Sequence, residues 1–119
     1  MAPLLTSALQ DTRQQLEALL EAHNLDAVRS LLKAEHPADV ADLLELLDAE
    51  QRVAVFDLLE SGMAAEVLDE INTRSTRDLV DAVPDEKIAD LLEVMPVDDA
   101  AEILAELAEG RAEDILALM

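Results

Sequence analysis

From Ala41 to Met119 the apolar residues recur with a twelve-residue period. With units beginning at 41, 53, 65, 77, 89, 101 and 113, the third position reads Leu43, Val55, Val67, Leu79, Leu91, Ile103 and Ile115. The fourth reads Leu44, Phe56, Leu68, Val80, Leu92, Leu104 and Leu116, and the seventh reads Leu47, Leu59, Ile71, Val83, Met95, Leu107 and Met119. All 21 are apolar in a chain that is 51% apolar, a coincidence of roughly one in a million before allowance for the choice of register. Exact repeats agree: ADLLE recurs at an offset of 48, and AAE-aliphatic-Leu (64–68, 100–104) at an offset of 36.

Positions three, four and seven are spaced i, i+1, i+4 and so make one stripe of an α-helix. Breakers occupy the rest of each unit: Pro37, Asp48, Ser61-Gly62, Asn72-Thr73, Pro84-Asp85, Pro96 and Gly110. Asp48 with Gln51 has capping-box spacing, and Ser61 and Thr73 are N-cap residue types. Each unit is expected to be a helix of about eight to ten residues, ~12–15 Å long. Helices this short are unstable alone and must stack, burying the stripe in a continuous seam, as solenoids do. Leu43, Leu44, Leu68, Leu91, Leu92 and Leu104 are expected inside. Two further helices are predicted near Leu4–Ala22 and Leu25–Glu35, separated by His23-Asn24. The reading is an all-α solenoid, with residues 1–35 as N-terminal helices and 36–119 as the repeat, together one domain. Met119 falls on a seam position with no polar capping helix after it, the pattern expected of a piece of a longer protein.

Composition sharpens this picture. Leu, Ala and Glu dominate, the single aromatic is Phe56, and two glycines and four prolines leave little for hairpins. Without cysteine there is no disulfide, thiol nucleophile or Cys-ligated metal. Against 28 Asp plus Glu stand eight scattered Lys and Arg, a net charge of −20, so the chain repels phosphate backbones and nucleic acid is not an expected partner. No apolar run reaches membrane-spanning length, and MAPLLTSALQ lacks the basic start of a signal peptide. A cytoplasmic setting is expected. His23 and His36 have no second ligand at metal spacing, no serine pairs with a histidine in a nucleophile motif, and enzymatic activity is not expected.

The acids are patterned. Position two carries Asp42, Glu66, Asp78, Asp90, Glu102 and Asp114, and position five carries Glu45, Asp57, Asp69, Asp81 and Glu93. At 100° per residue both point away from the apolar stripe. A solvated charged face keeps a solenoid soluble, and acids early in a helix complement its dipole. One cluster stands out: Asp98 and Asp99 open a helix, with Glu102 four and three residues on, a spacing suited to an open Mg²⁺ site that keeps most of its waters.

The segments HPADVADLLELL (36–47), GMAAEVLDEI (62–71) and DEKIADLLEVMPVDDAAEILAEL (85–107) resemble the N-terminal cytosolic domain of MgtE-type magnesium channels, over about residues 24–119. The resemblance implies a right-handed superhelix of short helices that precedes two CBS domains, a connecting helix and a transmembrane pore, in a homodimer of the inner membrane. It further implies that cytosolic Mg²⁺ binds between this domain, the CBS domains and the connecting helix and holds the pore shut. The ion-binding carboxylates it implies fall on Glu66, Asp98 and Glu102. This chain itself carries neither CBS sequence nor a membrane helix, so conduction would belong to a parent protein. The alternative is a helical-repeat adaptor for a protein partner, similar in architecture to the repeat domains of flagellar motor switch proteins.

The charge generates a first prediction. Self-repulsion at −20 destabilises the compact state and is screened by salt, so the melting temperature should rise steadily from about 20 mM to about 0.5 M NaCl. A flat salt dependence in a thermal melt would show that the acidic face costs the fold nothing.

Overall fold

The computed structural model describes residues 2–119, and among them there are nine α-helices and no strand. Helices α1 (Ala2–Glu21) and α2 (Leu25–Lys33) precede seven helices of ten residues each: α3 (Pro37–Leu46), α4 (Ala49–Leu58), α5 (Ser61–Glu70), α6 (Thr73–Ala82), α7 (Asp85–Val94), α8 (Val97–Glu106) and α9 (Glu109–Leu118). Their first residues are twelve apart throughout, as the apolar period requires. None of the described helices is long and apolar enough to cross a membrane.

The turn between α1 and α2 follows from local hydrogen bonding. His23 adopts φ 55°, and the amides of His23 and Asn24 donate to the carbonyls of Leu20 and Leu19 at 3.1 and 3.0 Å. That is a Schellman ending built on a histidine in the left-handed region, where glycine is commoner. The Asn24 side chain then caps α2 by accepting from the Ala27 amide at 3.3 Å.

The repeat helices end differently. Each of α3 to α8 stops at the seventh-position residue, which is extended (Leu47 φ −84°, ψ 157°; Met95 φ −80°, ψ 154°). The next residue, also outside the helix, is the N-cap of the following one: Asp48, Glu60, Asn72, Pro84, Pro96 and Ala108. Ten helical residues and a two-residue joint make twelve, and because no left-handed residue is needed, no glycine is needed. Prolines fit the joint, since their fixed φ matches the extended backbone at Pro84 and Pro96 (−61° and −55°). Asp48 caps α4 as expected, accepting from the Gln51 amide at 2.8 Å. Ser61 and Thr73, by contrast, are first helical residues; the N-caps there are Glu60 and Asn72, and the Asn72 side chain accepts from the Ser75 amide at 2.9 Å. A joint that must start one residue after the seventh position leaves Ser61 and Thr73 one place too late.

Position seven therefore belongs to the core without belonging to the helix. Leu47, Leu59, Ile71, Val83, Met95 and Leu107 are all buried. Leu43, Leu44, Leu68, Leu91 and Leu92 are buried as expected, while Leu104 is only half-buried.

The helices form two columns. In the odd column α3 packs on α5, α5 on α7 and α7 on α9, with α1 against α3; in the even column α2 packs on α4 and α4 on α6. The columns are unequal. Each middle odd helix buries four residues at i, i+1, i+3, i+4: Val40, Ala41, Leu43 and Leu44; Ala64, Ala65, Val67 and Leu68; Ile88, Ala89, Leu91 and Leu92. The even helix α4 buries only Val55 and Phe56, and α8 only Ile103. Ala41, Ala65 and Ala89, 24 residues apart, are the small residues that let successive odd helices approach closely. The structural repeat is thus a 24-residue pair of helices, twice the sequence period. Leu16, Val28 and Leu32 from α1 and α2 join the same apolar cluster, which extends to Ile115.

Leu92 is 4% exposed and sits in the odd column, so Leu92→Ala should cost ~2–5 kcal/mol. Gly62 and Gly110 are second residues of α5 and α9, with helical backbone and open space where a Cβ would stand. Gly62→Ala and Gly110→Ala should each add about 0.4–1 kcal/mol. Urea titration of the three variants checks both signs.

Candidate functional site: the outward carboxylates and the buried cations

Every residue at positions two and five of the repeat is exposed, from Asp42 and Glu45 through to Asp114 and Ala117. The inside/outside assignment of the acids therefore holds along the whole stack. Glu66 lies on α5, exposed between the buried Ala65 and Val67. Asp98 and Glu102 lie one turn apart on α8, both exposed, whereas Asp99 between them is half-buried. None of the three expected ligands takes part in an ion pair among the described residues. Glu102 lines a polar depression whose other walls include Asp69 and Ile71 from the end of α5, Thr76 of α6 and Glu106 of α8. Among the described residues no three Asp, Glu, His or Cys side chains converge as a group that could hold a metal. The chain thus offers carboxylates singly and in pairs on an open surface.

The positive charges lie elsewhere, at sites that sequence reasoning missed. Of the described helices, only α2 has a basic residue in its last turn, Lys33. The negative ends of the other helix dipoles are unmet by their own sequence. Cations from other helices meet three of them. Arg52 of α4 donates from Nε to the Leu44 carbonyl at 2.8 Å and from Nη2 to the Leu47 carbonyl at 2.9 Å, closing the end of α3. Lys87 of α7 donates from Nζ to the Leu59 carbonyl at the end of α4. Arg111 of α9 donates to the carbonyls of Val80 and Val83 at the end of α6, the latter at 2.7 Å, and pairs with Asp85 at 2.9 Å.

Lys87 and Arg111 are both third residues of odd helices, 24 residues apart. The residue 24 before Lys87 is Met63, which has no charge to give. It lines an apolar pocket with Leu32, Leu58 and Leu59, and Lys33 of the α2 end meets Glu60 there at 3.4 Å. Burial lowers the pKa of Lys87, opposed by the nearby Asp57 and Asp90 carboxylates, so the lysine carries its charge at some desolvation cost. The sequence signal was the 24-residue spacing of Lys87 and Arg111, invisible until helix ends are placed.

A stack of short helix pairs with a hydrophobic seam, internally capped helix ends and an uncompensated acidic exterior defines a helical-repeat module built to present carboxylates outward. The chain belongs to the MgtE intracellular N domain family, whose match spans residues 35–119. That span takes in all of α3 to α9 and begins after α2, a shorter stretch than the expected 24–119. No curated protein matches the chain.

Replacing Arg111 by Met, the residue at the equivalent place in α5, removes the Asp85 pair and both carbonyl contacts. Bonds to charged groups contribute about 1.5–3 kcal/mol net, so Arg111→Met should lower stability by about 2 kcal/mol on that scale. Arg77→Ala, on an exposed arginine in α6 without an ion-pair partner among the described residues, should stay within ~0.5 kcal/mol. Denaturant midpoints of the two variants make the comparison.

Proposed function

We propose that this domain is the Mg²⁺-sensing part of an MgtE-type transporter and regulates it by docking. The observation that carries the reading is the division of charge. Arg52, Lys87 and Arg111 are committed to helix ends, so the exterior acids, Glu66, Asp98 and Glu102 among them, lack internal neutralisation. Exposed carboxylates are hard oxygen donors, and Mg²⁺ takes one or two of them while keeping several waters, so the donor set fits the ion. It fits as half of a site, the rest supplied by CBS domains and the connecting helix of the parent chain in a homodimer.

At low cytosolic Mg²⁺, Glu66, Asp98 and Glu102 repel acidic surfaces opposite them and the domain stays undocked. Bound Mg²⁺ supplies positive charge that both surfaces can share. The solenoid's contribution is rigidity: Glu66 is fixed by the buried residues on either side of it, and Asp98 and Glu102 by one helix. Because ions between surfaces favour only the docked state, their binding shifts the equilibrium towards a closed pore. In this reading the domain lies on the cytoplasmic side of the inner membrane, inserts nothing into it, binds no nucleic acid and performs no chemistry of its own.

The test is protease protection of the full transporter carrying this domain across a Mg²⁺ titration, wild type against Glu66→Ala/Asp98→Ala/Glu102→Ala. Coupling free energies of this kind amount to about 5–150-fold in affinity, so the variant should need at least about fivefold more Mg²⁺ for protection. The isolated domain should melt within a few degrees of wild type, since all three side chains are exposed. Protection at the same Mg²⁺ concentration in both proteins overturns the assignment.

A further inference from the structure

One flank of α9 departs from the rule that governs the rest of the odd column. Leu92 and Met95, at positions four and seven of the α7 unit, are 4% and 9% exposed, but their counterparts Leu116 and Met119 are 51% and 47% exposed. The apolar seam therefore emerges at the surface here.

Two polar features accompany it. The end of α4 is closed by Lys87 and that of α6 by Arg111, each the third residue of the odd helix three elements further on. The end of α8, at the Leu107 carbonyl, receives no side-chain donor among the described residues. Glu113 stands, exposed, at the place where Ala41, Ala65 and Ala89 let odd helices close up. A helix of the same acidic repeat would set its own charge against Glu113, and a second copy of this chain would bring another net −20 to the same flank. Both are electrostatically excluded as good occupants.

From this combination we propose that the α9 flank is a docking surface for a basic amphipathic helix of a partner protein. Apolar residues of the partner cover Leu116 and Met119 in the way α9 itself covers α7. A Lys or Arg of the partner donates to the Leu107 carbonyl, supplying at α8 the cap that Lys87 and Arg111 supply elsewhere. A second cation meets Glu113. The surface is independent of the Mg²⁺ reading, since none of Glu66, Asp98 and Glu102 takes part.

The probe is a fluorescein-labelled, amidated synthetic helix with Leu at i, i+3, i+4 and i+7 and Lys at the remaining positions, titrated with the domain at physiological ionic strength and followed by anisotropy. A twin peptide carries Glu in place of every Lys. The Lys peptide should bind and the Glu peptide should not. Leu116→Ser should weaken binding at least about tenfold, as loss of a central apolar anchor does, and Glu113→Gln several-fold. Val97→Ser, at a residue 83% exposed on α8, should leave binding unchanged. Circular dichroism checks that each variant keeps wild-type helicity, and Glu113→Gln, which removes only a charge, carries the test if Leu116→Ser does not. Equal binding to wild type, Leu116→Ser and Glu113→Gln would reveal mere adhesion to an acidic protein and overturn the proposal. So would failure of the Lys peptide to bind, or a Leu116-dependent dimer of the domain alone in sedimentation velocity.

Discussion

The whole architecture depends on the two-residue joint between repeat helices. Its first residue must be extended and apolar, because it leaves the helix and at once enters the core; its second must be extended and able to begin the next helix. Leu47-Asp48, Ile71-Asn72 and Met95-Pro96 each meet both demands. A buried anchor in an irregular segment costs backbone order, and the ~1.5–3 kcal/mol from burying a large aliphatic side chain offsets it locally. Every joint is thus secured where it bends, and helices of only ten residues gain fixed neighbours that their own length could never supply.

Electrostatics follow from the same geometry. Joints this short leave no room for a basic last turn, since the final helical residues are taken up by the seam and its outward acids. Negative helix ends therefore depend on cations arriving laterally, and residues 28 apart in sequence, Leu59 and Lys87 or Val83 and Arg111, meet because a two-column stack brings them side by side. A chain with eight basic residues that commits three of them in this way is left with an exterior of one sign.

Much of the fold was legible in the sequence: the twelve-residue period gave the helices, their all-α class and their inside/outside sense, because burial imposes the same three apolar positions on every unit. The pairing into 24-residue repeats was not, since positions three, four and seven are apolar in both columns. It is written only at neighbouring positions, where Ala64, Ala65, Ile88 and Ala89 alternate with Thr76, Arg77, Ala100 and Ala101. Position seven fitted a helical stripe because i+4 spacing suits a helix and an extended anchor equally. Leu104 was expected inside and is half-buried because α8, burying only Ile103, contributes little to the core. For the candidate site, the exposure of Glu66, Asp98 and Glu102 could be read from the repeat. Their assembly into a complete ligand set could not, because this chain alone does not bring three such groups together among its described residues.

The inequality of the two columns constrains how such a domain can change length over evolutionary time. Loss of a single twelve-residue unit would preserve the joint and the apolar stripe, yet every helix beyond the scar would swap columns. Thr76 and Arg77 would then stand where Ala64 and Ala65 support close packing, and a deeply buried helix would find itself at the periphery. Loss or gain of 24 residues leaves each helix in its own column. Indels in this lineage are therefore quantised in helix pairs, even though the sequence, read by its hydrophobic rhythm alone, invites cutting at every helix.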